Sequence, residues 1–188
     1  MAAVSFKSPR RQNASADSQA EPDNVRTDAV AKTSLTVNAT QVVSESGQVR
    51  RLIQISGNYN DRTASGVGTL IERVVESFFQ MSFDDEGILY SLELDIERFS
   101  GIEGRADINF VNGTCAKNFA CADVGGPNLY IDDLWGFMAS NDAIAHEFGH
   151  LIGYWHWPNG VGNFMSYDRN GKITSDQVKL LWNKYNLD

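Results

Sequence analysis

All three histidines of this 188-residue chain fall within one short run, His146-Glu147-Phe148-Gly149-His150-Leu151-Ile152-Gly153-Tyr154-Trp155-His156. Random placement of three residues gives offsets of 0, 4 and 10 only about once in six thousand trials, so the spacing is a constraint on the fold and not an accident of composition. Residues four apart on a helix share one face about a turn apart, which lets His146 and His150 aim their rings at a common point. Gly153 is placed to end that helix, because glycine enters the left-handed conformation without steric cost. The chain can then turn back and bring His156 to the same ion. Three imidazoles that leave a fourth position for water are the ligand set of a catalytic zinc site, so the spacing points to a hydrolase with one Zn2+.

Zinc held by neutral imidazoles keeps its charge and lowers the pKa of a bound water to about 7. Glu147 sits a helical step before His150 and is the candidate general base. A structural zinc site would need a fourth fixed ligand and is usually built from cysteine. The only cysteines, Cys115 and Cys121, lie in a loop-like stretch flanked by glycine and asparagine; a small disulfide-closed loop and two free thiols are equally compatible with it. Asp168-Arg169-Asn170-Gly171-Lys172-Ile173 bears a faint likeness to a calcium loop, but its glycine comes fourth where such a loop needs it sixth. Calcium is the weaker expectation and a polar turn the stronger one.

Around the histidine run the apolar pattern changes period several times. Alternation over Leu35–Val43, a turn at Ser44-Glu45-Ser46-Gly47, and renewed alternation over Val49–Ile55 predict a hairpin. After a break at Gly57-Asn58-Tyr59-Asn60-Asp61, the residues Leu70, Ile71, Val74, Val75, Phe78 and Phe79 predict an amphipathic helix over about 66–81. Strands are expected at Ile88–Ile96, with Leu92, Leu94 and Ile96 on one face, at Arg105–Val111 and at Asn128–Asp132. The metal helix is entered near Ser140-Asn141-Asp142, and a last helix runs from Ser175 to Tyr185 behind a Thr174/Gln177 capping box, with Val178, Leu181 and Trp182 facing inward. Strands around an early helix, followed by the metal helix, indicate an α+β fold with helices packed on a mixed sheet.

Residues 1–30 have almost no large apolar side chains and cannot bury enough surface to offset ordering entropy. They read as a disordered tail or as a pro-segment, in which Asp17, Asp23 or Asp28 would be the capping candidates because no cysteine precedes Cys115. Residues 31–188 read as a single domain, divided into 31–153 and 154–188. The formal charge of −8 lies in that domain, since residues 1–30 hold four basic and four acidic side chains. An acidic body argues against a nucleic-acid partner, and no apolar run is long enough to span a membrane. The N-terminus lacks the apolar stretch of a signal peptide; a removed leader, a leaderless route and an intracellular location all fit the sequence.

His-Glu-x-x-His-x-x-Gly-x-x-His followed by a methionine turn resembles the signature of the metzincin metallopeptidases. On that resemblance His146, His150 and His156 are the zinc ligands, Glu147 the base, Gly153 the turning glycine, and Met165 of Asn163-Phe164-Met165-Ser166-Tyr167 the methionine beneath the ion. Met-Ser-Tyr is similar to the turn of astacin-like and serralysin-like members, which implies that Tyr167 ligates zinc at rest and stabilises the oxyanion during reaction. The resemblance also implies a zincin fold: a mostly parallel twisted sheet with an antiparallel edge strand, the active-site helix and a small C-terminal subdomain. It assigns the edge position to Asn128–Asp132, along which a peptide or protein substrate would bind. Asp132 and Asp133 are placed to assist there or to serve as solvated turn or capping residues. Trp155 and Trp157 are either walls of the cleft or packing aromatics. Two features depart from the family pattern: only 38 residues follow His150, and the N-terminal hairpin and tail have no counterpart.

The expectation is a monomeric, secreted zinc endopeptidase, open to control by a protein inhibitor. Its alternatives are a secreted bacterial effector or toxin peptidase confined to one protein or to peptidoglycan peptides, and a zinc-stabilised module that captures peptides without cutting them. Glu147 disfavours the last, because a pure binder needs no base there.

Overall fold

The computed structural model describes residues 31–101, 106–113, 115, 120–132, 141–157, 162–166 and 171–186. The N-terminal hairpin forms as its alternation predicts. β1 (Thr36–Val43) pairs antiparallel with β2 (Val49–Arg62), in a register running from Thr36 opposite Ser56 to Val43 opposite Val49. Between them the Ser44 hydroxyl accepts the Gln48 amide at 3.0 Å, and Gly47 takes the positive φ (82°) that the turn requires. Ile53 and Ile55 of β2 are fully buried.

β2 does not stop at Gly57, where a break was expected. It continues to Arg62 because each new residue gains a ladder partner: Val49–Tyr59 lie parallel to Ile88–Arg98, and Tyr59–Arg62 lie parallel to Ile108–Val111. Gly57 is there for close approach and not for a turn. A Cβ on it would come 2.6 Å from Leu35 Cδ2 and 3.0 Å from the Asp107 carboxylate, which accepts the Asn58 amide at 2.9 Å. The Tyr59 ring, also fully buried, stacks on Phe110 with centroids 4.7 Å apart.

Helix α1 (Gly68–Phe78) starts where Asp61 and Thr63 accept the amides of Gly68 and Val67 at 2.8 and 3.1 Å. It buries Ile71 and Val75 but ends three residues short of the expected limit, because Met81 already belongs to β3 (Met81–Asp85). That strand was not anticipated. It forms a hairpin with β4 (Ile88–Arg98) over Glu86-Gly87, both with positive φ (51° and 81°), the backbone that two-residue hairpin loops favour. Leu92, Leu94 and Ile96 of β4 share the buried face, as their spacing predicts. β5 (Ile108–Asn112), β6 (Ala120–Ala122) and β7 (Asn128–Ile131) complete the sheet.

The spatial order is β3-β4-β2-β5-β7-β6, with β1 beside β2. The three parallel pairs (β2–β4, β2–β5, β5–β7) occupy the centre and the three antiparallel ones (β1–β2, β3–β4, β6–β7) the margins, so the sheet is mixed and not mostly parallel. The edge assignment of Asn128–Asp132 is overturned. β7 is parallel to β5 on one side and bonded to β6 on the other over residues 129–131, so it is an inner strand and not the edge expected for a peptide. The antiparallel margin strand is β6, whose three residues are too few to show alternation. Its Cys121 is joined by a disulfide to Cys115.

Helix α2 (Asn141–Leu151) packs against α1, β6 and β7, and α3 (Ser175–Tyr185) lies against β1, β2 and β4. The fold is α+β, with three helices on a mixed sheet among the described residues. The capping box closes as expected: Gln177 N donates to the Thr174 hydroxyl at 3.4 Å, and Thr174 N to the Gln177 side chain at 3.0 Å. Val178, Leu181 and Trp182 enter the same apolar cluster as Ile53, Leu92 and Phe148. No helix among the described residues is long and apolar enough to cross a membrane.

Valine suits a strand better than glycine does, yet Gly57→Val should destabilise the domain by about 1–3 kcal/mol, because the added carbons meet Leu35 and Asp107 in a packed interior. Urea unfolding followed by circular dichroism measures this, and unchanged or higher stability would contradict the packing argument.

Candidate metal centre

From Ala143 to Leu151 every residue of α2 is buried, so the helix is a core element whose polar side chains must find partners inside the protein. His146 and His150 lie on one face, 1 % and 4 % exposed, with ring centroids 5.1 Å apart. Tyr154 N bonds Gly149 O at 2.9 Å and Gly153 N bonds His150 O at 3.0 Å. This pair of bonds, with Gly153 at φ 101°, makes a Schellman turn, and it reverses the chain so that the His156 ring comes to 4.6 Å from that of His150 and 5.3 Å from that of His146. The three histidines each offer a nitrogen within 4.8 Å of the other two.

Which nitrogens face inward follows from their hydrogen bonds. His146 Nδ1 lies 2.7 Å from Phe164 O, and His150 Nδ1 lies 2.8 Å from Tyr154 O. A carbonyl only accepts, so each Nδ1 carries the proton and each Nε2 turns a lone pair towards the other rings. His150 Nε2 and His156 Nε2 are 3.1 Å apart, a separation at which two ring nitrogens share either a proton or a cation. Two tetrahedral ligands at metal–nitrogen distances of ~2.0–2.1 Å would stand about 3.3 Å apart. The donor set therefore fits a first-row divalent ion held by three imidazoles, and no other group of three or more His, Cys, Asp or Glu side chains is close enough for this among the described residues. Glu147, 4 % exposed, is buried between the two helical histidines in sequence.

Beneath the helix runs the Asn163–Ser166 turn. Ser166 N and Oγ donate to Asn163 O at 3.2 and 2.7 Å, Met165 N donates to Asn163 Oδ1 at 2.9 Å, and Trp157 N donates to Met165 O at 2.9 Å. Met165 is fully buried, and a Cβ on Gly149 would run into its sulfur and come 2.5 Å from the Phe164 ring. Helix and turn thus touch through a glycine that the sequence reading passed over. The available signal was a glycine in mid-helix, disfavoured by ~1 kcal/mol against alanine and worth a packing explanation. Phe164 also contacts Phe78, Phe79 and Tyr154, with centroids 5.4–5.5 Å apart.

Carbonyls at and just beyond the C-terminus of α2, which lack helical partners, are reached by distant segments. Gly125 N donates to His150 O at 2.6 Å, Thr33 Oγ1 to Leu151 O at 2.6 Å, and Ala31 N to Gly153 O at 2.8 Å. None of these three was singled out from the sequence, and nothing local could have marked them. Tyr154, which carries the carbonyl for His150, is itself buried; burial holds its phenol well above the ordinary tyrosine pKa, and the hydroxyl donates to Gln177 O at 2.8 Å.

Of the residues expected at the site, His146, Glu147, His150, Gly153, His156 and Met165 are brought together around α2 and the turn below it. Tyr167 lies outside the described residues, as do residues 1–30, Asp133, Ser140 and Asp168–Asn170. Trp157 packs against the core, and Trp155 is half-buried. The chain matches no protein-family model and no curated protein.

The chain should bind one divalent ion, measured by elemental analysis after gel filtration, and His150→Ala should abolish that binding. At a free ion concentration about 100 times the Kd, the metal should add about 2.7 kcal/mol of stability, seen as a fall in Tm on chelation that the His150→Ala variant lacks.

Proposed function

We propose that the chain is a zinc-dependent endopeptidase of metzincin type. The observation that carries this reading is the convergence of the three histidines with the Nδ1 atoms of His146 and His150 both committed to backbone carbonyls. Supporting it are the resemblance of His-Glu-x-x-His-x-x-Gly-x-x-His to the family signature, and a methionine turn packed on the helix glycine. A donor set of neutral imidazoles with no thiolate suits zinc among the common divalent ions.

When bound, zinc supplies a Lewis acid that polarises a carbonyl and lowers the pKa of a coordinated water from 15.7 to about 7. Glu147 is the proton carrier: its carboxylate accepts a proton from the nucleophilic water and delivers it to the amine nitrogen as the peptide C–N bond breaks and the new C–O bond forms. Tyr167 is assigned the oxyanion contact on the family resemblance, its phenol donating to the oxygen that gains charge. Gly149 and Met165 keep the floor of the site dense and fixed, which holds the histidines in register. The substrate is a peptide or protein. The Cys115–Cys121 disulfide is a cross-link that persists in oxidising compartments, which supports an exported protein.

Glu147→Gln should keep zinc bound with wild-type stoichiometry while lowering peptide hydrolysis by about 10²–10⁴-fold. Mass-spectrometric profiling of a peptide library, with the wild type and the variant in parallel, reads both rate and cleavage site. Equal turnover by the variant would remove Glu147 from the reaction, and a zinc-loaded wild type that leaves every peptide intact would refute the peptidase.

A further inference from the structure

Two of the three histidine rings are oriented by carbonyls, and both carbonyls lead to one residue on α3, one to its main-chain oxygen and the other to its side chain. His150 Nδ1 donates to the carbonyl of Tyr154, whose hydroxyl donates to the main-chain carbonyl of Gln177 at 2.8 Å. His146 Nδ1 donates to the carbonyl of Phe164, inside the turn that Asn163 shapes by accepting the Met165 amide on Oδ1. The same Oδ1 accepts Gln177 Nε2 at 3.3 Å. Gln177, Asn163 and Tyr154 are each at most 1 % exposed, so water does not compete for these bonds and their geometry is passed on with little slack.

We infer that Gln177 is a positioning residue for the metal centre, coupling the first turn of α3 to both helical histidines, to His150 through its main-chain carbonyl and Tyr154, and to His146 through its side chain and Asn163. The inference rests on the reading that these histidines hold zinc.

The Asn163 amide shows why the side chain must be a donor. Two donors, Met165 N and Gln177 Nε2, converge on its oxygen and fix which end faces inward, while its Nδ2 has no hydrogen-bond partner among the described residues. Asn163 is thus oriented entirely through its oxygen, and losing one of the two donors frees the turn that carries Phe164 O. The backbone of Asn163 is pressed against Gly171 and bridged to Lys172, so the turn has few other ways to settle. Gln177 also closes the capping box with Thr174, a local role that a test must separate from the reach to Asn163.

Zinc affinity, measured by competition with a chromophoric chelator and without any peptide, makes that separation. Gln177→Met keeps the side-chain length but removes both donor and acceptor, and should weaken zinc binding about 10–100-fold, the range found for the loss of groups that orient metal ligands. It should also alter the visible absorption of the Co2+-substituted protein. Tyr154→Phe, which breaks only the His150 arm, should weaken binding by less than about tenfold, and Thr174→Ala, which breaks only the cap, should stay within about twofold. Wild-type affinity in both Gln177→Met and Tyr154→Phe would overturn the inference, and so would a Thr174→Ala loss as large as that of Gln177→Met. Should Gln177→Met fail to fold by circular dichroism, Gln177→Glu, which keeps the oxygen that accepts the Thr174 amide but loses the donor to Asn163, decides in its place, wild-type affinity overturning the role. A wild-type chain that binds no zinc overturns this inference together with the metal reading. One that shows the predicted affinity pattern but cuts no peptide refutes the peptidase alone.

Discussion

The donation of an imidazole proton to a backbone carbonyl is the interaction on which the candidate metal centre depends. A free histidine exchanges tautomers and spins about two side-chain bonds; for His146 and His150, the carbonyls of Phe164 and Tyr154 at 2.7 and 2.8 Å from Nδ1 favour one tautomer and one ring orientation. Each bond does two things at once: it directs a lone pair inward, and it raises the basicity of the nitrogen that carries it. The carbonyls have to be in place first, so the site is assembled from the turns at 153–154 and 163–166 as much as from the helix.

Those turns are held by packing that has little freedom to relax. α2 is buried from Ala143 to Leu151, and Phe164 is the ring at which the end of α1, Gly149 of α2 and the Tyr154 corner meet. Interiors at this density do not yield gradually; a side chain either fits or displaces its neighbours. Gly149 is the clearest instance, since anything larger than hydrogen there collides with the Met165 sulfur and the Phe164 ring. The candidate ion ligands and the core share the same packing in this region, so stability measurements and metal titrations should report on one another.

What was legible in the sequence was local. The offsets of the histidines, the glycine at 153, the Thr174/Gln177 capping box and the alternation in β1, β2 and β4 are each decided by residues within a turn or a strand of one another, and each forms as read. Illegible were features set by residues far apart. β2 runs through Gly57 and Asn58 because β4 and β5 offer it partners, which outweighs the turn-like composition of that stretch. β6 is three residues long and exists by pairing with β7, so the edge was assigned to the wrong strand. The bonds from Ala31, Thr33 and Gly125 to the end of α2 span up to 122 positions in the chain, and no periodicity announces a contact of that range.

The contacts of Ala31 and Thr33 bear on how the protein is made. Thr33 reaches forward to Leu151 and also to the Tyr185 hydroxyl, 152 positions away, and that hydroxyl in turn contacts the Ala31 carbonyl. A ribosome releases the first of these residues long before the last, so the segment that braces α2 waits through the synthesis of the 152 positions between Thr33 and Tyr185 for its last partner. Loop closure over such distances is slow. A nascent chain arrested before α3 would therefore carry all three histidines and the two carbonyls that aim them, but not the Tyr185 hydroxyl that ties the Ala31–Thr33 segment down beside the helix end.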